Sequence, residues 1–207
     1  MDAEMVRDYA LAAGGLLVPK IGGPSVKPYQ PEGVWEAVAM IGSNTRDYRV
    51  DKGDALYRRS LYTFWKRSAP PASMEIFNAP SREVCSVRRE RTNTPLQALV
   101  TLNDPQFVEA ARRLAESALK RGGGETDGSI DFIADRLLAR RLRAEERVVV
   151  KKSLDELLDF YKKQAKQAGE LVAFGESKAD SSLDRPTLAA WTMLVNELMN
   201  LDEVLNK

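Results

Sequence analysis

The chain has 207 residues, 43% hydrophobic and 29% charged, with a net charge of +1. That composition suits a globular domain, argues against wholesale disorder, and excludes nucleic acid as a partner for the chain as a whole. With no histidine and one cysteine, it also excludes Ser-His-Asp or Cys-His catalysis, a histidine zinc site, histidine-ligated haem and an internal disulfide framework.

In chain order, residues 2–13 (DAEMVRDYALAA) predict a helix. Asp2 is its N-cap, Gly14–Gly15 end it, and Met5, Val6, Tyr9 and Ala13 supply its core face. Residues 16–33 hold Pro19, Pro24, Pro28 and Pro31 with Gly22, Gly23 and Gly33. They predict an extended surface path rather than a periodic element. Residues 34–40 predict a short helix, and Tyr48-Arg49-Val50 a brief strand with no partner of equal signal.

Residues 54–67 predict a helix on the stripe Leu56, Ser60, Phe64 and Arg67, broadened by Leu61 and Trp65 and ended by Pro70–Pro71. Residues 68–93 then form a long loop carrying Cys85, Arg88, Arg89 and Arg91. A loop of this length in a compact domain is usually functional. Thr94, Pro95 and Gln97 spell an N-cap, a proline at the first helical position and a capping-box partner. Asp104–Pro105 repeats the device for a second helix. Phe107, Ala111, Leu114, Ala115 and Ala118 share its buried face, while Arg112, Arg113 and Glu116 are expected in water. Gly122, Gly123 and Gly124 end it.

The remainder predicts three helices. One carries Ile130, Ile133, Ala134, Leu137 and Leu138, capped by Ser129. One runs from 144 to 168 and is ended by Gly169. The last starts at Asp184–Arg185 and buries Leu188, Trp191, Leu194, Val195 and Leu198. Residues 175–183 are polar and aperiodic and predict a mobile loop. The whole is an all-α fold, an irregular bundle of six or seven helices. It reads as a single domain over 1–207, with a loop-rich N-terminal segment over 1–53, a helix-turn-helix core over 54–121 and C-terminal helices over 129–207.

Four side-chain groups are candidates for chemistry. Arg88, Arg89 and Arg91, with Asn93, precede a helix N-terminus whose Leu96, Gln97 and Ala98 N–H groups would also favour a carboxylate, sulfate or phosphate. The competing reading pairs these arginines with Glu83, Glu90 or Asp104. Tyr29 and Trp35, beside the Pro/Gly loop, are the better surface candidates for stacking on a sugar, whereas Trp65 and Trp191 lie on apolar stripes and are expected in the core. Cys85 lacks any histidine to act as base and is expected to be buried and inert. Glu145, Glu146, Asp155, Glu156 and Asp159 share a helix with lysines, the pattern of solvated intrahelical pairs rather than catalytic carboxylates. No residue set calls for a cofactor or a metal.

The run FNAPSREVCSVRRERTNTPLQALVTLNDPQFVEAARRLAE resembles the signature of domain-of-unknown-function family 1553, a planctomycete-type domain of large exported bacterial proteins. GGPSVKPYQPEGVWE (22–36) is similar to that family's Pro/Gly-rich segment, and LAAWTMLVNELMNLDE (188–203) to its C-terminal helix. The resemblance implies context rather than an activity. Its members follow other domains of the same polypeptide, many with a c-type cytochrome module upstream. It implies a periplasmic or extracellular location and a chain that is the C-terminal portion of a larger protein. No signal peptide and no membrane span are read in this chain.

The leading expectation is a non-catalytic accessory module that binds a glycan or neighbouring domains. The alternative is a component of an enzyme whose redox or carbohydrate-active site is completed by another module carrying the cofactor.

Overall fold

The computed structural model describes residues 1–206. Among them the fold is all-α: ten α-helices, seven of which have eight residues or more, and no strand. The chain gathers into two compact units, one of residues 1–9 with 17–100, the other of residues 10–16 with Thr101 onward.

The helix-start signals are realised in side-chain hydrogen bonds. In α4 (Pro95–Asn103) the Gln97 N–H donates to Thr94 Oγ1 at 3.3 Å and the Thr94 N–H to Gln97 Oε1 at 3.0 Å, a reciprocal capping box. Asp104 caps α5 (Pro105–Arg121) by accepting from the Gln106 N–H at 3.1 Å. Asp184 caps α9 (Arg185–Met199) by accepting from the Thr187 N–H at 3.0 Å.

In the second unit, α5 and α9 form the centre. α6 (Thr126–Leu138) packs on α5, and α7 (Ala144–Lys163) and α8 (Ala165–Val172) pack on α9. Ala110, Ala111, Ala115 and Ala118 are completely buried on α5, so small side chains let its partners approach closely. Leu188, Trp191, Leu194, Val195 and Leu198 of α9 are buried as the periodicity predicts.

Several boundaries differ from expectation. The helix expected over 144–168 breaks at Gln164, which has φ −117° and ψ 54°, and resumes as α8 through Gly169. Ser129 does not cap α6. It lies buried three residues inside that helix, and its hydroxyl donates to the Ala118 and Glu125 carbonyls. Glu145 is exposed, while Glu146 pairs with Arg140 and Arg143 rather than with lysines.

The first unit is irregular. It holds the first residues of α1 (Ala3–Ala13), the short helices α2 (Val34–Val38) and α3 (Ala72–Ile76), and two 3-10 turns at Gly53–Tyr57 and Ser60–Tyr62. The helix expected over 54–67 does not form, because its backbone is bonded elsewhere. Val18 N–H donates to Tyr57 O at 3.0 Å, Val26 N–H to Tyr62 O at 2.8 Å, and Phe64 N–H to Val26 O at 2.7 Å. Tertiary pairing overrides the local propensity. The strand expected at 48–50 is absent too. Tyr48 donates its hydroxyl to Pro28 O at 2.6 Å, and Asp51 exchanges two hydrogen bonds with the Lys27 backbone.

Two buried arginines tie this region together. Arg7 donates to the carbonyls of Arg58 and Leu56, both at 2.8 Å, and to Ser60 Oγ at 3.1 Å. Arg58 donates to the carbonyls of Pro24, Lys20 and Gly22. Its guanidinium lies 3.8 Å from the centre of the Tyr62 ring. Tyr62 Oη in turn accepts from the Gly22 N–H at 2.8 Å. Met5, expected on the core face of α1, is exposed, and Arg7 takes a buried position on that helix instead.

Two glycines test the packing of the second unit in opposite directions. A Cβ on Gly14 would sit 2.6 Å from the Ala110 carbonyl oxygen, whereas one on Gly169, inside α8, meets nothing. Gly14→Ala should lose about 1–3 kcal/mol in urea unfolding, and Gly169→Ala should gain about 0.4–1 kcal/mol.

Candidate functional site

The arginine cluster lies on a loop pinned at its two ends. At the first, Trp65 Nε1 donates to Ser81 O at 3.0 Å and Arg82 stacks 4.4 Å from the Trp65 ring centre. At the second, Thr92 Oγ1 accepts from Asn78 Nδ2 at 2.7 Å and from Gln97 Nε2 at 3.0 Å. Gln97 Nε2 also reaches Ile76 O. Between these anchors residues 81–93 are all exposed.

Arg89 and Arg91 form ion pairs, but with the acids of α1 rather than with Glu83, Glu90 or Asp104. Arg89 Nη1 lies 2.7 Å from Glu4 Oε2, and Arg91 Nε lies 3.0 Å from Asp2 Oδ1. Arg88 is exposed and has no partner among the described residues. An open cleft of about 730 Å³ is lined by Asp2, Arg88, Arg89, Glu90, Arg91 and Thr92. Asn93 is exposed beside it and does not line it. The helix end adds less than its sequence suggests, since Thr94 takes the N–H groups of Gln97 and Ala98. The cleft can therefore hold an anion through guanidinium groups alone.

The aromatic candidates fare differently. Trp35 is 1% exposed, at the centre of the first unit. Its ring meets Tyr48 edge-on at 4.7 Å and Phe64 at 5.4 Å, with Lys66 Nζ 4.9 Å from its centre. No face is left for a sugar, so the surface platform expected at Trp35 is corrected to a core position. The bulk of the indole was the signal available in the sequence. Tyr29 is half-buried. Trp65, expected in the core, is half-buried too, and Trp191 is in the core. Cys85 is exposed, contrary to expectation, because the loop that carries it turns no residue inward.

One constellation was not anticipated. Arg112 and Glu116, expected in water, are 0% and 2% exposed, and Glu109 on the same helix is 0% exposed. Arg112 Nη1 lies 3.2 Å from Glu116 Oε1, and its Nη2 donates to Ser177 O and to Ser177 Oγ. Glu109 Oε1 accepts from the Ser177 N–H, and Glu116 Oε1 accepts from the Asp180 N–H at 3.2 Å. Arg113, partly exposed, adds a second guanidinium at 2.6 Å from Glu116 Oε2. Lys120 pairs with Asp180 and holds that carboxyl well below the usual carboxylate range.

The loop at 175–183, expected to be mobile, is therefore bound by its own backbone to side chains of α5. Gly175 is needed there. Its φ is +91°, and a Cβ would lie 2.5 Å from the Glu109 carboxyl carbon. The stripe Glu109, Arg112 and Glu116 has helical spacing, and the polar loop with one glycine was its counterpart. Chemically this network is a balanced, fully occupied clamp. Among the described residues no group of three or more His, Cys, Asp or Glu is placed to hold a metal ion.

The chain belongs to the PSD1 family, Protein of unknown function (DUF1553), whose model matches residues 1–154. The match takes in the arginine loop and the α4–α5 corner, and ends before the 188–203 helix. No curated protein and no solved structure matches the chain.

The two arginine sets should separate sharply in chemical denaturation. Arg112→Ala leaves buried carboxylates uncompensated and should cost about 3–5 kcal/mol. Arg89→Ala and Arg91→Ala break exposed pairs and should each cost about 0–1 kcal/mol. Equal losses would reject the distinction between clamp and open surface.

Proposed function

We propose that this chain is a non-catalytic docking module of an exported multidomain protein, and that the loop at 81–93 seats a neighbouring domain of the same polypeptide. The observation that carries the reading is the loop's apolar exposure. Val84 is 74% exposed and Val87 103%, within a segment that turns no residue into a core. Apolar side chains held in water on an ordered backbone mark a surface made for contact.

The arginines supply the polar rim. Arg88 offers open donors for a carboxylate on the partner, and Arg89, Arg91 and Asn93 flank it. Glycan stacking at this surface has less support, because the Trp35 ring is buried. The absence of histidine from the sequence also favours binding over general acid–base work in this chain.

Cys85, the sole thiol, sits between the two bare valines and reports directly on the surface. Its alkylation rate with iodoacetamide should be that of an open thiol in the 207-residue chain. In the polypeptide encoded by the complete reading frame it should fall about tenfold or more, through loss of access. Equal rates in the two proteins would reject docking on this loop.

A further inference from the structure

A second cleft in the first unit, of about 540 Å³, has a different chemistry. Gln30, Pro31, Glu32, Glu36, Tyr48 and Val50 form its walls. Gly33, at φ +80°, turns the chain into α2 and sets Glu32 and Glu36 on either side of that turn. Tyr48 is fixed by its hydrogen bond to Pro28 O and by its edge-on contact with the buried Trp35.

The polar groups in this cleft lack counterparts. Gln30 Nε2 is buried and has no hydrogen-bond partner. A buried N–H donor without an acceptor is costly, and native structures seldom leave one unless a bound group completes it. The carboxylates of Glu32 and Glu36 are exposed and have no ion pair or hydrogen bond among the described residues. No lysine or arginine lines the cleft. The Tyr48 ring, Pro31 and Val50 supply apolar wall.

A complementary ligand must therefore accept from one amide, donate to two carboxylates and present an apolar face. An amine would serve the carboxylates and leave Gln30 unmet. A phosphate or a sulfate would be repelled by Glu32 and Glu36. Hydroxyl groups on a sugar ring both donate and accept, and the ring's C–H face packs on aromatic and apolar side chains. We infer that this cleft binds a neutral saccharide. The inference is independent of the docking reading, since none of its residues belongs to the 81–93 loop.

The test uses the intact chain on an array of neutral oligosaccharides (maltotriose, cellotriose, xylotriose, mannotriose and chitotriose), with spermidine as the cationic control. The strongest binder is then titrated calorimetrically against Gln30→Leu and Glu36→Gln. The expected result is binding to at least one saccharide, weakened about tenfold or more in both variants with unchanged melting temperature, through loss of the paired hydrogen bonds. Glu36 is exposed, so its variant reads the site even if Gln30→Leu fails to fold. No saccharide binding, binding of spermidine alone, or equal binding by Glu36→Gln and the parent would each overturn the assignment.

Discussion

Arg58 donates to the carbonyls of Lys20, Gly22 and Pro24, and Arg7 to those of Leu56 and Arg58. The segment they bind contains Pro19 and Pro24, which have no N–H to give to a ladder, and glycines with positive φ that break any strand. Its backbone oxygens still need donors once they leave water. A guanidinium presents five N–H groups in a fixed fork, so one side chain can serve several carbonyls. These two arginines do for the irregular unit what a sheet would otherwise do. The two isolated bridges, Val18 with Arg58 and Val26 with Thr63, are what remains of a ladder there.

The second unit uses the same device once. Arg112 reaches the backbone of the loop at 175–180 from inside α5, with Glu109 and Glu116 taking the loop's N–H groups. Both units thus commit buried arginine to loop backbone. The loop at 81–93 is the contrast, for its arginines reach only the side chains of α1 or nothing, and its valines stay in water. Arginines that hold structure are buried and carbonyl-bound, and those left for a partner are exposed. That difference is why the docking reading rests on this loop and not on Arg112.

Much of the helical half was legible because its signals are local. Thr94-Pro95, Asp104–Pro105 and Asp184 each announce a helix start through a hydrogen bond within three residues. Periodicity then placed Leu114, Ala118, Leu194 and Leu198 in the core. What failed was non-local. Nothing within 54–67 says that the Tyr57 and Tyr62 carbonyls will be taken by Val18 and Val26. Polarity alone put Arg112 and Glu116 in water, because their partners lie more than sixty residues away in a loop without periodicity. The arginine loop was legible as a candidate by composition, but which arginines would be spoken for was not, since Asp2 and Glu4 lie at the far end of the chain. Trp35 was misplaced because a Pro/Gly-rich neighbourhood suggests surface even where an aromatic ring closes a core.

The claim that arginine replaces the ladder is open to direct measurement by amide hydrogen exchange on an Arg58→Lys variant. Lysine keeps the charge but cannot span three carbonyls. The amides of Val18 and Val26, which donate to Tyr57 and Tyr62, should exchange about tenfold faster or more, while those of α5 and α9 keep their protection. Unchanged protection at Val18 and Val26 would contradict the account.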